Sequence, residues 1–189
     1  MITSADRVKR FLRIETPDFD DLLADIVSGV SASADSYVGR PLSHHVVTGH
    51  RATVGGATTR IVLPHYPVTK VSAVVENATA LAATDYRLET AAALRDGPRI
   101  LTRLSGTAVI AWTSGIVSID YEAGFKQNPP ADLALHMTRE AARIFNETPQ
   151  GKGRLGLASE SPGVGATVSF FVQDWLPGSQ AVLDAYAGL

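Results

Sequence analysis

The segment 116–145 constrains the fold more than any other part of this sequence, because its periodicity changes from strand to helix across a double proline. From Ile116 to Ala123, apolar and polar residues alternate, which is typical of a half-buried strand. Pro129 and Pro130 end the extended pattern, and apolar residues at helical spacing follow. The apolar faces consist of Val117, Ile119 and Tyr121 on the strand, and of Leu133, Met137, Ala141, Ile144 and Phe145 on the helix. We interpret this junction as the point where a β-rich middle returns the chain to a helical layer.

Two helices are predicted before the β-rich middle. The first begins at Thr3, where a weak capping box is formed with an aspartate three residues on, and it ends near Ile14. The second covers residues 19–38, in which apolar residues follow helical spacing for about five turns. Gly39 and Pro41 then end it. Carboxylates that offset the helix dipole crowd its start, at Asp18, Asp20, Asp21 and Asp25.

Short segments of β periodicity, separated by glycine and proline, occupy residues 43–125. The predicted strands are 45–53, 59–63, 69–75, 86–89, 99–101, 108–112 and 116–123. We expect the last two to form a hairpin that turns at 113–115. This regular spacing favours a small antiparallel sheet or a barrel-like insert.

The C-terminal part combines a long helix from Ala131, a glycine-rich stretch and a terminal helix. The stretch 148–166 predicts a long mobile loop. Pro177 is expected at the start of the last helix, with Val182, Leu183 and Tyr186 facing inward. The fold class is therefore α+β, with N- and C-terminal helices packed together as a helical layer and a β-rich antiparallel insert between them. The predicted regions are an N-terminal helix pair at 1–42, the insert at 43–128 and the C-terminal helices with the mobile loop at 129–189.

Composition narrows the possible functions. With 189 residues and 45% hydrophobic content, the chain can form one domain with a substantial core. A net charge of −2 gives no basic stripe for a nucleic-acid-binding module. The absence of cysteine excludes disulfides, thiolate metal sites and a cysteine nucleophile. No signal peptide or membrane-spanning run is recognisable, so we expect a soluble intracellular product.

No motif in the sequence predicts catalysis, a cofactor or a metal. Neither a nucleophile elbow nor a P-loop is present, and the segment 151–154 reads as a flexible basic loop rather than a phosphate cradle. His44 and His45 would point to opposite faces of a strand, and His50 would lie about 20 Å away from His44. We therefore predict no catalytic, cofactor-binding or metal-ligating residues.

The aromatic residues near the C-terminus allow two interpretations. Trp112, Trp175, Phe170 and Phe171 are typical core residues. The last three, however, lie beside the predicted mobile loop, where exposed aromatic side chains would serve as anchors for a partner.

The order of elements resembles the head–tail connector family of tailed bacteriophages, also called adaptor or head-completion proteins. Two features are less typical of the family, namely a long β insert and the glycine-rich stretch. The matching pieces, in order, are VKRFLRI (8–14), DFDDLLADIVSGVSASADSYVGRPL (18–42), LPHYPVTKVSAVVE (63–76), YEAGF (121–125), PPADLALHMTREAARIF (129–145) and the closing LPGSQAVLDAYAGL (176–189).

The resemblance implies a non-enzymatic virion part without a cofactor. Such proteins form a ring, generally dodecameric, beneath the portal protein, and they bind a stopper or tail-completion protein below. DNA passes through their channel without specific binding, and no membrane is involved. The implied location is the head–tail junction of the virion, with the host cytoplasm before assembly. Gene-transfer agents and defective prophages use similar parts.

Candidate residues follow from this resemblance. The candidate portal or partner interface is Phe170, Phe171, Trp175, Leu176 and Tyr186. The candidate mobile docking loop contains Gly151, Lys152, Arg154 and Leu155. Residues expected to set the angle of the β insert against the helical layer are Gly39, Pro67, Tyr121, Gly124, Phe125 and Pro130.

Three other functions stay open on the sequence alone. A different phage neck or tail-completion protein would have the same surface without catalytic chemistry. A small hydrolase would show a pocket with convergent polar groups. A nucleic-acid-binding module would need a basic stripe.

Overall fold

The computed structural model describes residues 1–90, 97–126, 129–151, 159–163, 166–169 and 174–187. The chain divides into two compact units. The helical unit comprises Met1–Val38 and Asn128–Gly188, and the β unit comprises Gly39–Gln127. The predicted α+β class is confirmed, because helices from both ends of the chain pack on one another and the strands of the middle pair antiparallel.

The helical unit is built around its third helix. Its helices are α1 (Ala5–Leu12), α2 (Asp20–Val38), α3 (Ala131–Glu147) and α4 (Pro177–Ala187). Contacts join α3 to each of the other three helices. The apolar stripes predicted from the sequence form the core, whose fully buried side chains include Val8, Leu23, Val27, Leu133, Met137, Ala141 and Leu183. An edge-on contact at 5.4 Å between the rings of Phe19 and Phe145 adds to it.

The first helix begins two residues later than expected. Ser4, rather than Thr3, is the N-cap, and its hydroxyl oxygen accepts a hydrogen bond from the backbone N–H of Arg7. Thr3 is buried, and its hydroxyl lies 2.7 Å from that of Thr138 on α3. Both residues are good caps, so the choice was made by tertiary packing rather than by local preference.

The β unit contains two four-stranded antiparallel sheets. The first has the order β1–β8–β3–β4, and in the second β6 pairs with β2, β5 and β7. Val117, Ile119, Tyr121 and Ala123 on the central strand β8 are fully buried, as the alternation predicted. The strands are β1 (His45–Val54), β2 (Arg60–Val62), β3 (Val68–Glu76), β4 (Thr79–Ala80), β5 (Tyr86–Thr90), β6 (Pro98–Ser105), β7 (Ala108–Val109) and β8 (Gly115–Ala123).

The hairpin predicted between the last two strands is wrong. β7 pairs with β6, whereas β8 pairs with β1 and β3. The turn before β8 closes on Asn77 instead, because the Asn77 side chain donates to the Ser114 carbonyl at 3.0 Å and accepts from the Ile116 N–H at 3.1 Å. Gly115 makes this possible, since a Cβ there would lie 2.1 Å from the Asn77 amide oxygen. The Asn77 side chain thus binds the backbone on both sides of Gly115.

Part of the stretch predicted as a loop is regular structure. Strands β9 (Ser159–Gly163) and β10 (Ala166–Ser169) pair antiparallel within or just after it. The glycines and the two prolines that favoured a loop also fit a short ribbon, which needs only backbone pairing. Whether the remainder is mobile stays a prediction.

The β unit starts and ends at neighbouring points. Phe125 donates its N–H to the Leu42 carbonyl at 2.8 Å, and the His44 N–H donates to the Phe125 carbonyl at 3.1 Å. Gly124, at φ +86°, leaves no room for a side chain, because a Cβ would lie 2.3 Å from the Ser43 carbonyl oxygen. Its N–H donates to the carbonyl of Pro67, which follows a cis peptide bond. The glycine therefore lets the two ends of the unit meet.

Candidate functional site

A groove of about 930 Å³ in the helical unit is the main candidate for binding a partner. Its floor is the side of α2 that carries only small residues, at Gly29, Ala32, Ser33 and Ser36. Small side chains let another segment approach the helix backbone closely. The apolar and aromatic walls are formed by Ile26, Val30 and Tyr37 on α2, Ile144 on α3 and Trp175 before α4.

A buried carboxylate fixes the wall that contains Trp175. Glu140 on α3 is almost fully buried, and it accepts a hydrogen bond of 2.7 Å from the backbone N–H of Leu176. Its other oxygen accepts from Arg143 at 3.0 Å. Because a carboxylate is costly to bury without partners, these bonds hold the segment before α4 against α3.

Arg143 extends the same link. It donates to the Glu147 carboxylate at 2.6 Å and to the Asp174 carbonyl at 3.2 Å. Burial acts to lower the pKa of Arg143, but its bonds to Glu140 and Glu147 outweigh this and hold the pKa above the usual value. The Arg143 guanidinium therefore stays charged. The residues on either side of Trp175, Asp174 and Leu176, are hydrogen-bonded to Arg143 and Glu140 on α3.

Tyr37 completes the aromatic rim of the groove. Its ring meets that of Trp175 edge-on, with 6.3 Å between centroids. The hydroxyl donates to the Asp184 carboxylate on α4 and accepts from Gln180 at 3.4 Å. The hydrogen bond to Asp184 raises the pKa of Tyr37. Two aromatic rings and a fixed carboxylate suit binding of an apolar segment with a polar edge, rather than acid–base chemistry.

The predicted interface residues do not all lie on this rim. Trp175 and Leu176 are half-buried beside the groove. Tyr186 is buried in the helical unit, as the inward-facing pattern of the last helix predicts and unlike an exposed interface residue, and its hydroxyl lies 3.3 Å from an Asp132 carboxylate oxygen. It faces inward because it lies one turn after Leu183 on the apolar side of α4. Phe170 and Phe171 lie outside the described residues.

The candidate docking loop is described only at its first residue. Gly151 ends α3's C-terminal turn and donates its N–H to the Thr148 carbonyl at 3.0 Å. A Cβ at this position would lie 2.2 Å from the Phe145 carbonyl oxygen. Lys152, Arg154 and Leu155 lie outside the described residues.

The candidate architectural residues have clear local roles. Gly39 follows α2 at φ +75°, and Pro130 is the N-cap of α3. Tyr121 is fully buried in the β unit, whereas Phe125 is half-buried at its closing point. Their expected effect on the angle between the two parts of the chain stays a prediction.

The histidines pair in a way that the sequence did not indicate. His45 lies 3.1 Å from His65, and His44 lies 3.1 Å from Glu122. His50 meets the Tyr121 ring edge-on. Across the described ranges, no group of three or more histidines and carboxylates is arranged to hold a metal ion. No described helix is long and apolar enough to cross a membrane.

The family comparison decides what kind of protein this is. A family model described as head completion protein matches residues 1–138, from the N-terminus into α3. The chain belongs to the head completion protein family. The resemblance inferred from the sequence is confirmed, and so is the structural role of a head–tail connector.

Solved structures share the fold of this head completion protein. A chain described as "Neck of empty GTA particle computed with C6 symmetry" matches with a TM-score of 0.58 and 21% identity, over 96% of this chain and 87% of that chain. Another, "Neck of native GTA particle computed with C12 symmetry", matches with a TM-score of 0.50 and 20% identity, over 89% and 82%. GTA denotes a gene transfer agent. No curated protein sequence matches the chain.

Sequence reasoning missed the residues that shape the groove. Glu140, Arg143 and Glu147 are spaced for ion pairs along one helix face, which was a usable signal. The bonds of Glu140 and Arg143 to the segment before α4 join residues more than 30 positions apart. No local pattern predicts such contacts.

Proposed function

We propose that this head completion protein is a non-enzymatic subunit of a ring at the head–tail junction of a phage-like particle. The ring would extend the DNA channel between the portal protein and a stopper or tail-completion protein, and DNA would pass without specific binding. The observation that carries the proposal is the family match over residues 1–138. The fold shared with neck proteins of gene transfer agent particles, in maps computed with C6 and C12 symmetry, supports a ring within a virion.

The groove on the helical unit is the proposed contact with the portal. It presents Trp175 and Tyr37, and aromatic side chains held in place are the usual anchors of protein interfaces. The bonds from Glu140 and Arg143 fix the segment before binding, which reduces the entropy cost of association.

Mixing the purified protein with portal-bearing heads tests this proposal. The readout is attachment to heads, counted by electron microscopy and by sedimentation with them. We expect Trp175→Ala to weaken attachment about thirtyfold, the effect of losing roughly 2 kcal/mol at an aromatic anchor.

The matched control is Val62→Ala, which truncates an exposed apolar residue of the β unit. It should attach like the original protein. Undiminished attachment of a folded Trp175→Ala variant would exclude the groove as the portal contact. Failure of the original protein to attach to heads or necks at all would refute the proposed function.

A further inference from the structure

A cluster of arginines on the helical unit lacks partners within the described part of the chain. The cluster, here named the arginine face, consists of Arg7, Arg10, Arg13 and Arg139. The first three belong to α1 and its C-cap, and the fourth lies on α3. Their side chains make no ion pair and no hydrogen bond with any described residue. Such charges are available to another molecule.

The arginine face has an apolar centre. Phe11 is 52% exposed and Leu135 is 43% exposed, although both are large hydrophobic residues. They line a shallow depression of about 450 Å³ together with Arg7, Arg10 and Thr138. Aromatic residues and arginine are enriched in protein interfaces, so this combination is typical of a protein contact.

Arg13 is held in an unfavourable backbone conformation. It is the C-cap of α1 at φ +59°, in the left-handed region where glycine is the usual residue. Glycine would relieve the strain but would remove a positive charge.

The same unit carries a second unpaired cluster of opposite charge. The acidic face consists of Glu15, Asp18, Asp21 and Asp25, all of them exposed and without an ion pair among the described residues. The helix dipole accounts for carboxylates in the first turn of α2. It does not account for Asp25, which lies beyond that turn, on the side of α2 opposite the buried residues Leu23 and Val27.

Arg7 and Phe11 lie on the side of α1 opposite the side that contacts α2. Lys9 reaches α2, where it forms an ion pair of 2.5 Å with Asp20. At roughly 100° per residue, Arg7 and Phe11 lie on the other side of α1 from Lys9, toward Leu135 on α3. The side of α1 that carries Arg7 and Phe11 thus faces away from α2, where Asp21 and Asp25 lie.

We propose that the arginine face of one copy binds the acidic face of the next copy, head to tail. Four cations would meet four carboxylates around the apolar centre of Phe11 and Leu135. Contacts between two different patches of one chain generate a ring when the rotation closes. This inference rests on the proposed ring and identifies the surfaces that build it.

DNA is the other polyanion that an arginine face could bind. A second copy is the better match, because it would bind the acidic face as well, which DNA would leave without a partner. Exposed charges mainly set the register and the rate of encounter, so we expect subunit association to weaken as salt is raised.

Charge reversal tests the pairing. Arg10→Glu/Arg139→Glu and Asp21→Lys/Asp25→Lys should each self-associate about 100-fold more weakly in sedimentation velocity, because like charges would face each other. An equal mixture should recover assembly with alternating subunits, since every contact is then complementary. The control Arg51→Glu/Lys70→Glu makes the same charge change on exposed residues of the β unit, and it should assemble normally.

Engineered cysteines give an independent readout, because the chain has none of its own. Under oxidation at high protein concentration, Arg10→Cys/Asp25→Cys should form a ladder of disulfide-linked multimers, whereas each single variant should not extend past a dimer. As a control, an amine-reactive cross-linker applied to the original protein detects multimers whichever surfaces hold them together.

The outcomes distinguish the proposed ring from the proposed pairing of the arginine face with the acidic face. Recovery in the mixture together with the ladder supports the pairing. Assembly of the original protein without recovery or ladder overturns the pairing and leaves the ring intact. Loss of duplex DNA binding in the arginine variants with unchanged assembly overturns it in favour of a nucleic-acid contact. Absence of any assembly, alone or on heads, refutes the ring and this inference with it.

Discussion

The β unit and the helical unit differ in how their charged side chains are paired. In the β unit, buried and half-buried carboxylates are paired with cations or histidine of the same unit: Glu76 with Arg103, Glu89 with Arg60 and Arg87, and Glu122 with His44 and Lys126. The helical unit pairs Glu140 and Glu147 with Arg143 inside, but leaves the arginine face and the acidic face unpaired among described residues. The paired carboxylates stabilise the interior of each unit. Exposed charges without an ion pair in the described part of the chain occur in both units, Arg51 and Lys70 among them, but in the helical unit they surround the exposed side chains of Phe11 and Leu135.

The largest expected effect is in the interior of the helical unit. Glu140→Ala should lower the free energy of unfolding by about 3 kcal/mol, because it leaves the Arg143 guanidinium without its buried partner. Urea denaturation followed by circular dichroism measures this. Glu147→Ala, which removes a more exposed partner of the same arginine, should cost clearly less; equal losses would mean that burial is not what makes the pair matter.

A backbone substitution gives the matching test in the β unit. Gly124→Ala should destabilise the protein by about 2–3 kcal/mol, since it adds left-handed strain and a clash with the Ser43 carbonyl. Gly106→Ala has a similar φ of +60° with no described atom within 4 Å of the added Cβ, so it should cost only about 1 kcal/mol. Chemical denaturation of both variants separates the clash from the strain, and a similar cost for both would show that the ends of the unit can move apart.

A smaller effect is expected at the start of α1. Ser4→Ala removes the N-cap hydroxyl and should cost about 1 kcal/mol. Ser4→Asp should retain most of the stability, because a carboxylate also caps a helix and favours its N-terminus. Thermal melts of the two variants report the difference, and an unchanged Ser4→Ala protein would show that the Thr3–Thr138 contact alone fixes α1.

The smallest expected effect is a pH dependence from the histidines of the β unit. Burial, with the nearby His45, His50 and Arg40, lowers the pKa of His65 below 6.5. The unfolded chain therefore takes up a proton first as the pH falls, and stability should decrease below about pH 6.5. His65→Gln should flatten that slope in urea titrations between about pH 7.5 and about pH 5.5, and His45→Gln should reduce it. If the pH dependence of the free energy of unfolding is unchanged in both variants, it arises from other titratable groups.

Periodicity was sufficient to predict most of the fold. The stripe on β8 is fully buried, and most of the stripes on α2 and α3 are buried as well, because one-sided burial leaves a period in the sequence. Tyr37 is exposed, and Ile26 and Ile144 are half-buried, where they line the groove. Which strands pair with one another was harder to predict from the sequence. Asn77 redirects the chain before β8 through contacts 37 and 39 residues away, and nothing local distinguishes it from an ordinary turn residue.

The candidate site was predictable only in part. Trp175 lies at the groove because Glu140 and Arg143 bind the residues on either side of it, and no local pattern predicts those contacts. Tyr186 is buried on the apolar side of α4, as the helical spacing indicated. The aspartates at the start of α2 had a sufficient explanation in the helix dipole. Their lack of ion pairs, and that of the arginines on α1, became visible only when the neighbours in space were known.

The closing contact between residues 43 and 125 has a consequence for how such proteins diversify. Because Phe125 bonds backbone to backbone with both Leu42 and His44, the β unit begins and ends at one spot. Its strands and turns can lengthen, shorten or be exchanged without changing the spacing between those two ends. We therefore expect that the β unit can be exchanged as a whole, provided that the backbone bonds of Phe125 with Leu42 and His44 are kept.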